Sequence, residues 1–224
     1  MTLALFDLDN TLLAGDSDYL WGRFLVEQGI VDGDEYEQRN QVFYDQYRAG
    51  ILDIHAFLAF QLQPLAAHPL EQLHLWREAF LDRMIEPIIL PAARELLAQH
   101  RLNGDTLVII TATNRFITEP IAARLGVDYL LATEAEMRGG RYTGHSSGTP
   151  CFQHGKVERL EQWLATESED LVGSWFYSDS HNDLPLLERV ANPVAVDPDE
   201  ELRKEAQARN WAVISLRTQI QSES

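Results

Sequence analysis

Short apolar runs recur along the chain: Leu3–Phe6 before Asp7, Leu107–Ile110 before Thr111, Trp175–Tyr177 before Ser178, then Pro193–Val196 and Trp211–Ile214. Runs this brief, with no polar alternation, suit strands buried on both faces, as in a parallel sheet. Between them apolar residues return at helical spacing, as at Ile117, Ile121 and Leu125, or Val157, Leu160 and Leu164. Strand and helix thus alternate from about residue 90 onward. That predicts an α/β chain with a doubly wound parallel sheet, a Rossmann-like core. Tyr129–Ala132 and Glu134–Met137 flank the turn-rich Arg138–Gly144, which predicts a short hairpin appended to the sheet.

The stretch between the first strand and residue 86 breaks the alternation. Its apolar positions follow four helical patterns: Leu20/Phe24, Tyr36/Phe43/Tyr47, Ile54/Phe57/Leu58/Leu62 and Leu73/Trp76/Phe80/Met84. Gly29, Gly33, Gly50 and Pro64 punctuate them, and Pro69 fits the first turn of the fourth helix. Residues 15–86 therefore read as a helical cap inserted into a core made of residues 1–14 and 87–224. Leu13–Gly15 and Glu86–Pro87 are the expected hinges of a cap that closes over substrate. Most aromatics of the insertion belong to its own core, with a minority facing the cleft. Gln219–Ser224 read as a frayed polar tail.

The length of 224 residues allows one sizeable domain with an insertion. Charge changes the picture more than size does. A net charge of −17, from 18 Lys+Arg against 35 Asp+Glu, argues against nucleic acid and anionic membrane surfaces as partners. A single cysteine, Cys151, excludes an internal disulfide and a thiolate zinc site. No basic leader precedes an apolar run at the N-terminus, and no run approaches the roughly 18 apolar residues of a membrane span. The expectation is a soluble, cytoplasmic protein; oligomeric state is not legible.

Ligands of parallel α/β sheets sit outside the C-terminal strand ends. There the chain offers Asp7 and Asp9-Asn10-Thr11, then Thr111 and Thr113, then Ser178 through Asp183, with Lys156 opening the helix before the last of these strands. Four carboxylates, a hydroxyl and an ammonium at one edge suit a divalent cation and a phosphoryl group. Mg²⁺ is commonly held by one or two carboxylates and keeps several waters. A carboxylate attacks phosphorus only if its repulsion with the phosphate is neutralised, and an aspartyl-phosphate splits one displacement into two. A second carboxyl group nearby, Asp9, can protonate the leaving oxygen and later activate water.

Taken together, Asp7-Leu8-Asp9-Asn10-Thr11-Leu12, Thr111, Lys156 and Asp179-Ser180-His181-Asn182-Asp183 resemble the four motifs of the haloacid dehalogenase-like phosphohydrolases. The resemblance covers the sheet domain, and the insertion sits where the phosphoserine phosphatase branch carries its cap. It implies Asp7 as nucleophile and metal ligand, and Asp9 as acid/base whose carbonyl also touches Mg²⁺. It implies Thr111 and Lys156 as holders of the phosphoryl oxygens. Asp179 would ligate the metal, with Asp183 in the same set, supporting it or orienting Lys156. Asn182 is the hydrogen-bonding neighbour, counted as a substrate contact with Asp16 and Ser17; Asp16, Ser17 and Asp18 lie where the chain leaves the first motif loop, which makes them the expected substrate contacts. Asp16 stands nine residues after the nucleophile, where phosphoserine phosphatases carry a glutamate for the substrate ammonium. Their cap arginine has no counterpart: Phe60 and Gln61 fall near that place. An amine-bearing phosphate without a carboxylate fits both features, and the capped branch includes phosphatases of histidinol phosphate. The resemblance thus implies a small phosphorylated metabolite as partner, with phosphoserine the alternative and a phosphomutase a more distant one.

Two other matches fail on context. Gly144-His145-Ser146-Ser147-Gly148 fits G-x-S-x-G, but that elbow needs a buried strand before it and a helix after it. Gly155-Lys156 is not followed by the Ser or Thr of a phosphate loop.

Overall fold

The computed structural model describes residues 2–167 and 169–217; the expected tail Gln219–Ser224 lies outside them. The order of elements begins with β1 (Leu3–Phe6). The chain then leaves the sheet for α1 (Ser17–Glu27), α2 (Gly33–Arg48), α3 (Ile54–Gln61), α4 (Gln63–Ala67) and α5 (Leu70–Phe80). It returns through a π-helical turn at Leu81–Ile85 and a 3-10 turn at Glu86–Ile88. The remainder runs α6 (Pro91–Leu102), β2 (Thr106–Asn114), α7 (Arg115–Leu125), β3 (Tyr129–Arg138), β4 (Arg141–Ser147) and α8 (His154–Glu167). Then come β5 (Trp175–Ser178), α9 (Leu184–Leu187), β6 (Asn192–Val196), α10 (Glu200–Arg209) and β7 (Ala212–Ile214).

The seven strands form one sheet in the order β4-β3-β2-β1-β5-β6-β7. Every pairing is parallel except β3 with β4: a hairpin forms in the expected region, but both expected arms lie in β3 and β4 starts at Arg141, inside the expected turn. β1 lies at the centre, Phe6 opposite Ile109 on one side and Tyr177 on the other. The order reverses on either side of β1, so a crevice opens at its C-terminal end. Side chains alternate between faces. Ala4 and Phe6 join the cluster that includes Ile109 and Tyr177, whereas Leu3 and Leu5 join Val108, Ile110 and Phe176.

The first of these clusters does not stop at the sheet. Trp21, Phe24, Leu58, Leu73 and Phe80 of the insertion belong to it, so sheet and insertion share one hydrophobic interior. The Trp21 ring meets that of Phe116 in α7 at 5.9 Å. The segments crossing between sheet and insertion pair beside the expected hinges: Ala14 N–H donates to the Ile88 carbonyl at 2.8 Å and Leu90 N–H to that of Leu12 at 3.1 Å. Four expected helices become five. Pro64 lies in the first turn of α4 just beyond the end of α3, a place where its missing N–H costs the helix no hydrogen bond. Pro69 caps α5 instead of lying inside its first turn. Among the described residues no helix is long and apolar enough to cross a membrane.

Candidate active site

β1 ends one residue before Asp7, whose N–H pairs with the Tyr177 carbonyl of β5 at 2.9 Å and so continues the ladder into the crevice. The Asp7 carboxylate is buried. Its Oδ1 accepts from Lys156 Nζ at 2.8 Å, and the same ammonium reaches the Asp183 carboxylate at 2.7 Å. Lys156 gets there because α8 begins in close contact with Pro150: a Cβ on Gly155 would lie 2.0 Å from the Pro150 carbonyl oxygen. Burial alone disfavours the ammonium, but Asp183 and Asp7 outweigh that and hold its pKa above the ordinary lysine value. For Asp7 burial prevails over Lys156 and pushes the carboxyl up to about 7.

Asp9 is held from two sides. Ser17 N–H donates to its Oδ1 at 2.6 Å and the Thr113 hydroxyl to its Oδ2 at 2.8 Å. Burial, with Asp16 beside it, raises this carboxyl to about 7, near the pH at which a general acid and base works best. Asp16 is the N-cap of α1, accepting from Tyr19 N–H at 2.8 Å, and it lines the cavity. Ser17 is fully buried, so its contribution is the amide that fixes Asp9. Thr111 lines the cavity and its hydroxyl oxygen accepts from Thr113 N–H at 3.2 Å, leaving its proton free to donate.

Asp179 lies across from Asp7, with Thr11 between them. The Thr11 Oγ1 accepts from Asp179 N–H at 3.1 Å and stands 3.3 Å from Asp7 Oδ2 and 3.2 Å from Asp179 Oδ1. A hydroxyl has one proton, so it can serve only one of the two carboxylate oxygens at a time. The other is left with an acceptor and no donor. A hard cation taking oxygen ligands fits that pair of carboxylates. Among the described residues no three His, Cys, Asp or Glu side chains converge as a metal cluster. Of the four expected metal positions, Asp7 and Asp179 present their carboxylates to Thr11, whereas the carboxylates of Asp183 and Asp9 have other partners. The Asp183 carboxylate is taken up by Lys156 and by Ser178 Oγ at 2.7 Å, and the Asp9 carboxylate by Ser17 and Thr113.

Asn182 is not at the cavity. It donates to the Tyr47 carbonyl of α2 at 3.0 Å and accepts from Gln153 at 2.9 Å, tying the insertion to the sheet. His181 is held by Asp199 at 2.8 Å, with its ring against Gly50. Thr11, Thr113 and Ser178 were visible as strand-end hydroxyls, but only the contacts reveal what they hold. Burial pushes the Cys151 thiol up to about 12, which keeps it inert. The G-x-S-x-G serine lies on the antiparallel edge strand β4, not on a strand-to-helix elbow.

The cavity above Asp7 has an empty volume of about 560 Å³, open solvent included. Asp7, Asp9, Asp16 and Asp18 line it, as do Tyr19, Phe43, Tyr44, Tyr47 and Phe57 of the insertion; among the described residues no Lys or Arg lines it, the Lys156 ammonium being engaged by Asp7 and Asp183. Gln61, near the expected arginine position, lines it as a neutral amide bonded to Asn40 and Tyr36.

An acid-and-lysine cluster at the switch point of a parallel sheet, roofed by inserted helices, is the arrangement of a capped phosphohydrolase with a Rossmann-like core. The chain belongs to the haloacid dehalogenase-like hydrolases, whose family model matches residues 4–188. It is 45% identical over 219 residues to a histidinol-phosphatase of Neisseria meningitidis, spanning 96% of this chain and 99% of that one. A phosphoserine phosphatase of Mycobacterium tuberculosis is 31% identical over 96% of this chain and 70% of its own length. A solved structure from Bordetella pertussis, described as a protein of unknown function, superposes with a TM-score of 0.91 at 46% identity, covering 97% of this chain and all of that one. A substrate-bound phosphoserine phosphatase structure shares the fold, with a TM-score of 0.72 at 18% identity over 96% and 93% of the two chains.

Proposed function

We propose that this chain is a Mg²⁺-dependent phosphomonoester hydrolase working through an aspartyl-phosphate on Asp7, and that its substrate is histidinol phosphate. The chemistry is carried by one observation: Asp7, buried, faces Lys156 on one side and the Thr11–Asp179 pair on the other. An oxygen of Asp7 attacks phosphorus while the ester P–O bond breaks. The proton held by Asp9 passes to the leaving alkoxide, as Ser17 and Thr113 keep that carboxyl aimed. Water then attacks the phosphorus of the aspartyl-phosphate, giving its proton to Asp9. The bond to Asp7 breaks and inorganic phosphate departs. Thr111 and Lys156 bind the phosphoryl oxygens throughout. The residues that would hold Mg²⁺ are Asp7, Asp179 and the main-chain carbonyl of Asp9. When bound, it offsets the repulsion between carboxylate and phosphate.

The substrate reading is supported by the name of the relative from Neisseria meningitidis and by a cavity rich in carboxylates and aromatic rings. Phosphoserine fits less well, because its carboxylate would meet no Lys or Arg there; Arg48 opens instead onto a neighbouring cleft. The test is phosphate release from histidinol phosphate and phosphoserine, each with Mg²⁺ and with a chelator in excess. Turnover is expected with the first ester and Mg²⁺, and background once the metal is removed. Preference for phosphoserine would overturn the substrate, and turnover indifferent to chelation would overturn the metal.

A further inference from the structure

Asp18 stands apart from the other carboxylates of the cavity. Asp7 has an ammonium, Asp9 an amide and a hydroxyl, and Asp16 the amide of Tyr19, all at 2.8 Å or less. Asp18 is only 4% exposed, yet its single contact is Asn114 Nδ2 at a long 3.4 Å, and its Oδ2 has no partner. The Oδ1 of Asn114 is likewise buried and unpartnered. With the Asn114 amide donating to Asp18, the two side chains leave two buried acceptors, Asp18 Oδ2 and Asn114 Oδ1, with no donor. A buried carboxylate without a partner is costly, and a bound group carrying several N–H bonds and a positive charge is its complement. Asp18 lines the cavity together with the aromatic rings of Tyr19, Phe43 and Tyr44, and among the described residues no Lys or Arg lines it.

We propose that Asp18 receives the cationic group of the substrate and so selects amine-bearing phosphomonoesters over uncharged or carboxylate-bearing ones. This rests on the hydrolase reading above and adds to it the residue that sets specificity. Burial holds the Asp18 carboxyl well above its ordinary pKa, so a bound cation would also favour its ionised form.

The test compares wild type and Asp18→Asn on histidinol phosphate and on p-nitrophenyl phosphate, which shares the phosphoryl chemistry and lacks the cation. The ratio of kcat/KM for the first ester over the second should fall by at least about tenfold, chiefly through KM. A parallel loss on both esters, as misfolding would give, or an unchanged ratio, overturns the assignment. Should the variant not fold, the wild type still decides: phosphoethanolamine should outrun glycerol phosphate and phosphoserine, and equal or inverted rates overturn the proposal. Release of phosphate from p-nitrophenyl phosphate without any preference for cationic esters sinks the role of Asp18 alone. Release from no ester at all sinks the hydrolase reading and takes this one with it.

Discussion

Thr113 shows how much of a reaction can hang on one hydroxyl. Its side chain donates to Asp9 at 2.8 Å from the end of β2, while Ser17 holds the other oxygen from α1, so core and insertion together fix one carboxyl. Thr113→Val keeps the shape and removes the donor. Because a positioned general acid contributes about 10²–10⁴ in rate, the variant should lose roughly 10–100-fold in kcat with KM little changed. Steady-state kinetics on histidinol phosphate checks this, with circular dichroism confirming the fold; a loss confined to KM would sink the positioning role. Asp7→Asn should reduce turnover to background and leave no acid-stable phosphate label on the chain after rapid quenching. At this scale the sequence was legible where chemistry sits at strand ends, as at Asp7, Asp9, Thr111 and Asp179. It was not legible where the partner lies far along the chain. The pairing of Asp183 with Lys156 came only through the family resemblance, and nothing near Asp183 points to Ser178 or near Asn182 to Tyr47.

The α8 start turns a backbone constraint into a chemical one. Gly155 precedes Lys156, and a methyl there would overlap the Pro150 carbonyl at 2.0 Å, a backbone atom that no rotamer change can move. Glycine is needed for close approach here, without any phosphate-loop role. Gly155→Ala should therefore shift α8, cost at least about 2 kcal/mol and pull Lys156 away from Asp7. Thermal unfolding together with phosphate release measures both effects. A stable, active variant would mean that the Pro150–Gly155 turn relaxes freely. The parallel strands and the core helices were readable from periodicity, but β4 was not, because the polar, glycine-rich run at Arg138–Gly144 reads as a turn and β4 begins inside it. The break between α3 and α4 was not, because Leu62 and Leu65 keep the apolar pattern going across it and both are buried. Periodicity reports which face is buried; Pro64 at the start of α4 carries the break.

In the whole molecule, the insertion is anchored unevenly, and that decides what can move. α1 contributes Trp21 and Phe24, and α5 contributes Leu73 and Phe80, to the same interior as the sheet. Arg77 of α5 adds a hydrogen bond to the Phe116 carbonyl at 2.8 Å, and the two crossing segments are paired at Leu13 and Ile89. α2 is different: of its 16 residues only Tyr36 and Asn40 are buried. Its far end is held to the sheet side by the Asn182–Tyr47 hydrogen bond and the packing of His181 on Gly50. The sequence marked the insertion by its change of period, but a shared core depends on tertiary contacts that no local pattern records. A hinge at residues 13–15 that swings all the helices together would have to tear that core open. The motion that admits substrate is therefore expected in α2, whose residues Phe43, Tyr44 and Tyr47 face the cavity. Hydrogen exchange with and without Mg²⁺ and an aluminium fluoride mimic of the phosphoryl group tests this. Amides of α2 should exchange quickly in the free protein and slow on binding, while those of α1 and α5 are slow in both states. Equal slowing across residues 17–80 would instead mean that the insertion moves as one body about the paired crossings.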